Sequence, residues 1–454
     1  MGSRAKKLGM NTCLIKEKGL GKTLFQMTWP MLFGVLALMS YQLVDAAWIA
    51  ILGVDPLAAL AFTLPVQQIL IGLQIGLGIA TTAIISRTLG ANNHQRAKQQ
   101  GGLILLIGTS LLALLSLVIW LSRHLILNFL GADASLLPMI ESYWVPWLLS
   151  AWLGAVIYLG YSQHRANGDT RFTGLMMVLV SCLNLILDPL FIFTFGWGLN
   201  GAAWATVAAF TLGGIFTFPR LWKRNLISLN FTQLNRLAEI RGLFAMAGPA
   251  ALSQLMPAVA ALLATGLVAS FGVAAVAAWG LGARLEMFSL VIVLALTMSL
   301  PPLLGRFAGA KDWQAIEELI RIAVRFIIVW QLAIAVIWLA LSKPLTQLLT
   351  KDIEVSTLVM DYLLKLPFSY SGLGVCILMV SASNALGLPV RALIISILRL
   401  FVCYLPFLWA GAYLGGINSL FTGALVGNLL AGILAWQMYQ QGLKHLRFKS
   451  TTFS

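Results

Sequence analysis

Twelve long apolar runs, separated by short polar segments, set the pattern of the chain. Their approximate limits are 24–52, 57–86, 99–121, 135–161, 171–195, 198–219, 243–271, 274–304, 319–342, 355–381, 389–414 and 417–440. A hydrocarbon core of roughly 30 Å is crossed by about 20 helical residues. Each run therefore predicts a membrane-spanning helix, and the fold class predicted is an all-α membrane protein with twelve transmembrane helices. An even number of crossings puts both termini on one side of the bilayer.

Composition excludes the alternatives. Of 454 residues, 59% are apolar and 10% charged, against roughly 25% charged in a soluble domain. Such a chain could not cover its surface in water, and it is neither disordered, collagenous nor a coiled coil. A net charge of +15 raises nucleic acid as a partner, but no basic cluster sits on a soluble segment. The bases follow topology instead. In the segments on the side of the termini 22 Lys and Arg residues gather, against four (Arg123, Lys343, Lys351, Lys365) on the other. The expectation is a multi-pass plasma (bacterial inner) membrane protein with cytoplasmic termini. Cys13, Cys182, Cys376 and Cys403 are too scattered for a disulfide framework or a zinc site. Residues 1–9 read as an expression-tag remnant before a native start at Met10.

The chain also repeats itself. A shift of 219 residues brings Pro30 onto Pro249, Gly53-Val54 onto Gly272-Val273, Arg87 onto Arg306, and Gly90-Ala91 onto Gly309-Ala310. Further on, Ala166 and Gly168 meet Ala385 and Gly387. Six spans separate the copies, so both start on the same side. Two six-helix lobes related by a pseudo-two-fold axis along the membrane normal are expected, with a cleft between them. The boundaries expected are an N-lobe at 10–221, an inter-lobe linker at 222–240, a C-lobe at 241–445 and a tail at 446–454.

Few ionisable residues interrupt the runs: Asp45, Asp188, Arg284 and Glu286. A charge at mid-membrane costs at least ~2.5–3.5 kcal/mol, which makes each a functional candidate. Asp45 and Asp188 lie about as far from the outer ends of spans 1 and 5. Asn184 is one turn below Asp188 on the same face, and Thr206 of span 6 falls at a similar depth. Tyr41 sits one turn below Asp45, with Trp48 three residues above it. Two carboxylates in a poorly solvated cavity repel and resist joint ionisation, so this group suits proton exchange; with the Asn and Thr oxygens it also suits Na+. The repeat mates of the two acids are Ala264 and Phe407, so the carboxylates are not repeated. Arg284 and Glu286, two apart, point to different faces and call for separate partners. Pro30 suits either the start of span 1 or a bend point in it. GLGKT at 19–23 lacks the first glycine of a phosphate loop, and the four histidines lie in loops or at span ends. No catalytic set shares a depth. No enzyme, metal or cofactor is expected, and an ion gradient would have to supply the energy.

WPMLFG…YQLVDAAWIAILG in span 1, SRTLGANN after span 2, LNLILDPLFIF in span 5, GLNGAAWATV in span 6 and ARLEMF in span 8 resemble the multidrug and toxic compound extrusion (MATE) family, and most of all its DinF-type branch. The resemblance spans nearly the whole chain. It implies a two-lobed exporter of small organic cations driven by H+ or Na+ antiport, with the ion site in the N-lobe at Asp45, Asn184, Asp188 and Thr206. It also implies a substrate cavity at Tyr41, Tyr143 and Met177, beside Trp48. The expected function is H+-coupled multidrug efflux by a monomer that binds no nucleic acid. Na+ coupling and a lipid-linked oligosaccharide flippase are the alternatives. Arg284 as the sole embedded base argues against the flippase.

Overall fold

The computed structural model describes residues 12–452 except 134 and 233. The tag remnant expected at 1–9 lies outside the described residues. Every regular element among them is helical. Eleven helical stretches are long and apolar enough to cross a membrane. The last, Pro389–Phe448, breaks at Gly415 and Gly416, where the backbone leaves helical geometry, and so makes two passes. Twelve spans result.

Spans 1 to 6 are Leu20–Ile51, Val54–Ala61 continued by Leu64–Gly90, His94–Leu121, Leu137–Ala166, Thr170–Thr194 and Gly198–Lys223. Spans 7 to 10 are Arg236–Ala269, Val273–Ser289 continued by Val291–Gly309, Trp313–Leu349 and Ile353–Ala385; spans 11 and 12 flank the break. Several helices start before their apolar stretches, where a side-chain cap opens them. Asn93 accepts a bond from the Arg96 amide at 3.0 Å, and Asp312 one from the Ala315 amide at 3.2 Å. A short helix at Arg123–Phe129, between spans 3 and 4, went unpredicted.

Backbone geometry carries the repeat further than residue identity does. Asn92 and Lys311, 219 apart, both have positive φ (59° and 57°), and the caps Asn93 and Asp312 follow them. Gly168 and Gly387, another such pair, close spans 4 and 10 at φ 88° and 82°. That left-handed turn is one only glycine adopts freely.

The lobes meet along spans 1, 2, 7 and 8. Gly72 and Gly76 of span 2 press on Leu255 and Ala251 of span 7. Thr28 of span 1 shares a 2.7 Å hydrogen bond with Ser299 of span 8. Elements on the face opposite the termini (54–61, 123–129, 190–194, 273–289, 353–365) pack within their own lobes. The junction thus belongs to the half that carries the termini. Inside the C-lobe, Gly411, Gly423 and Gly427 let spans 11 and 12 cross in backbone contact. The helix of span 6 ends at Lys223 and that of span 7 begins at Arg236, so both enter the stretch expected as linker.

Candidate functional site

Span 1 carries Tyr41, Asp45 and Trp48 on successive turns; span 5 carries Met177, Asn184 and Asp188 on one face. Two glycines hold these helices together. A Cβ on Gly174 would collide with the Pro30 carbonyl, and one on Gly34 would come within 3.1 Å of Met177. Pro30 lies ten residues inside a continuous helix that starts at Leu20. The helix-start explanation is therefore corrected: the helix begins ten residues before the proline. The missing N–H leaves one carbonyl of span 1 without its helical donor.

Asn184 and Asp188 are each only 1% exposed. Asn184 Nδ2 donates to Thr206 Oγ1 at 3.0 Å, and Thr206 Oγ1 donates to the Ala202 carbonyl at 3.0 Å. Asn184 is thereby oriented with its Oδ1 free. That oxygen, both carboxylate oxygens of Asp188 and Oδ1 of Asp45 are buried without a protein hydrogen-bond partner. Four unpaired acceptors close in on one region, where each would cost a few kcal/mol if left unsatisfied. Such a set takes up a proton or a small hard cation. The two carboxylates interact electrostatically with each other and with the hydroxyls of Tyr41 and Tyr143. Tyr143 and Met177 are each 4% exposed. Trp48 stands edge-on to Phe193, ring centres 5.8 Å apart. Directly after Asp188, Pro189 ends the α-helix and Leu190–Thr194 continues as a π-helical turn, a distortion common at functional positions.

The charged residues of span 8 stay apart from this group. Arg284 is exposed. Glu286 lies 3.5 Å from the Tyr362 hydroxyl and faces Arg399. Arg399, one of the 22 bases expected on the side of the termini, instead lies ten residues into span 11, in the π-helical stretch Leu398–Tyr404, with its Nε buried; Arg284 is therefore not the sole embedded base. The Asp361–Lys365 pair in span 10 (2.8 Å), whose ammonium also reaches the Asn418 carbonyl at 2.9 Å, was likewise missed. Its signal was an acid four residues before a base inside an apolar run. A separate cavity of about 560 Å³ opens between Phe191, Trp197, Asn200 and Trp204. None of the carboxylates lines it.

The MatE family matches residues 30–190 and 249–410, two segments that begin one repeat length apart. A solved structure of the Vibrio cholerae MATE transporter VcmN, in the bent form, superposes with a TM-score of 0.93 at 52% identity, covering 95% of this chain and 98% of that one. A FAD transporter of Shewanella oneidensis is 32% identical over 434 residues, 93% of this chain and 95% of its own length. The multidrug export protein MepA of Staphylococcus saprophyticus is 24% identical over 424 residues, 92% of this chain and 93% of its own.

Proposed function

Because the chain belongs to the MatE family of multi-pass membrane transporters, we propose that it exports organic cations in exchange for protons, with the coupling site in the N-lobe. The observation that carries this is the group of unpaired acceptor oxygens on Asp45, Asn184 and Asp188. A cationic substrate and a proton would compete for these carboxylates. In a state open to the outside, protonation removes the charge that held the drug, span 1 rearranges around Pro30, and the drug leaves. The proton-loaded protein then returns and discharges inward. Coupling requires that proton and drug favour different states or exclude each other. Tyr41, Trp48, Tyr143 and Met177 would form the adaptable wall against the drug.

The bilayer in question is the bacterial inner membrane, with the termini cytoplasmic, as the distribution of bases supports. The lobes at 10–221 and 241–445 would rock as units about the linker 222–240, in a monomer. The placing of the acids in the first repeat supports the DinF-type branch. The similarity to a FAD transporter supports a second candidate substrate, a flavin dinucleotide.

Uptake of a fluorescent organic cation from the bath into everted vesicles tests this, with H+ and Na+ gradients imposed separately. Cation movement driven by H+ and lost in Asp45→Asn is the expected result. Movement on Na+ alone would replace the coupling ion. Movement of FAD but of no cation under either gradient would replace the substrate class, and intact efflux in Asp45→Asn would refute the site.

A further inference from the structure

Arg87 closes span 2 and Arg306 closes span 8, one repeat length apart. Their helices cross in backbone contact about the pseudo-two-fold axis. A Cβ on Gly90 would strike the Arg306 carbonyl, and one on Gly309 would strike the Arg87 carbonyl. Each contact is thus the repeat image of the other. From this crossing each arginine reaches into the opposite lobe. Arg306, 4% exposed, directs Nη2 to the carbonyl of Ala166 at 3.5 Å, the last residue of span 4. Arg87 lays its guanidinium against Gly387, two residues beyond the end of span 10, and directs Nη2 to Met246 Sδ of span 7 at 3.3 Å.

The two targets are also repeat images. Spans 4 and 10 end in matching turns: the Gly168 amide donates to the Arg165 carbonyl (2.8 Å) and the Gly387 amide to the Asn384 carbonyl (3.0 Å). A helix C-terminus carries partial negative charge, and a guanidinium there is favourable. Neither arginine can keep this position if the lobes part on the side of the termini.

We propose that Arg87 and Arg306 form a reciprocal latch: each lobe's arginine seats on the helix end of the other and holds the face of the termini shut. Opening that face breaks both seats together, which makes the lobe movement two-state. The proposal rests on the alternating-access cycle above, but its test needs no ion, substrate or gradient.

Arg171 and Val390 are exposed repeat mates at the first turns of spans 5 and 11. Spin labels on cysteines at both, in a chain with its native cysteines replaced by alanine, report the lobe separation on this face by pulsed EPR. A dominant short separation with a small long-separation population is expected with both arginines present. Arg87→Ala and Arg306→Ala should each raise the long-separation population roughly three- to tenfold, and the double variant should raise it further. Arg87→Lys and Arg306→Lys keep the charge without the fork and should fall between. Should the alanine variants fail to elute as monodisperse protein, the lysine variants decide. Unchanged distances in monodisperse variants would overturn the latch and leave the transport function standing.

Discussion

The acids of spans 1 and 5 in the N-lobe and the acid of span 8 in the C-lobe sit in opposite surroundings. In the N-lobe, Asp45 and Asp188 face each other with no base among their contacts and with unpaired oxygens. In the C-lobe, Glu286 faces Arg399 and the Tyr362 hydroxyl. One group is left open to a mobile cation; the other has the guanidinium of Arg399 in its neighbourhood, beyond ion-pair distance. The backbones beneath them are copies, but the packing differs. Ala264, the mate of Asp45, is 1% exposed within the C-lobe core, where a carboxylate would have no room. A repeated framework is thus made asymmetric by a few substitutions, and the proposed coupling falls to the copy with the unpaired oxygens.

The largest expected effect separates the two groups directly. Asp188→Asn should abolish coupling, a loss on the scale of ~5–150-fold in gradient-driven efflux. Glu286→Gln should leave efflux within about twofold of wild type, because Glu286 is a lone carboxylate with the Tyr362 hydroxyl and the Arg399 charge beside it. Efflux from proteoliposomes at matched protein content decides. Equal losses in both variants would erase the contrast.

Stability should respond in the reverse order. Glu286→Gln removes the negative charge near Arg399 and should cost about 1–3 kcal/mol, on the scale of leaving a buried polar group unsatisfied. Arg399→Met added to it should restore most of that loss. Thermal unfolding in detergent compares the single and double variants. A single variant as stable as wild type would mean that Arg399 has other support.

The legible part of this molecule is the part lipid dictates. Spans stand out because a backbone in hydrocarbon must close its own hydrogen bonds, and Asp45 and Asp188 stand out because charge there is expensive. Arg399 did not stand out. Eight residues after Arg391 and near a loop, it looked like a topology signal, and nothing local announces that Leu398–Tyr404 winds as a π-helix. Of the two readings of Pro30, the helix start fails for a related reason: the helix begins at Leu20, with Gly21, Lys22 and Thr23 ahead of the apolar run that marks the span. The crossing at Gly34 and Gly174 was equally hidden, since an isolated glycine in an apolar run does not say what it touches.

That crossing supplies the next test. The mates of Gly34 and Gly174 are Ser253 and Leu393, so spans 7 and 11 lack the glycine seat that spans 1 and 5 share. Gly174→Ala should destabilise by about 1–3 kcal/mol, since the new methyl meets a backbone carbonyl that cannot swing aside. Leu393→Met should cost under ~1.5 kcal/mol. Unfolding temperatures of the two variants compare the lobes, and a larger loss for Leu393→Met would reverse the assignment of the tighter crossing.

The smallest effect probes how the open group is held. Asn184 keeps its Oδ1 toward the carboxylates only while its Nδ2 is engaged by Thr206. Thr206→Val removes that acceptor and leaves every coupling carboxylate in place. A neutral hydrogen bond is worth about 0.5–1.5 kcal/mol, so apparent affinity for the coupling ion should fall roughly two- to tenfold while maximal efflux is retained. Asn184→Ala removes the amide altogether and should shift affinity at least as far. A titration of efflux against the coupling ion measures both. If Thr206→Val matches wild type while Asn184→Ala does not, Asn184 is held by its packing in span 5, and the open group needs no help from span 6.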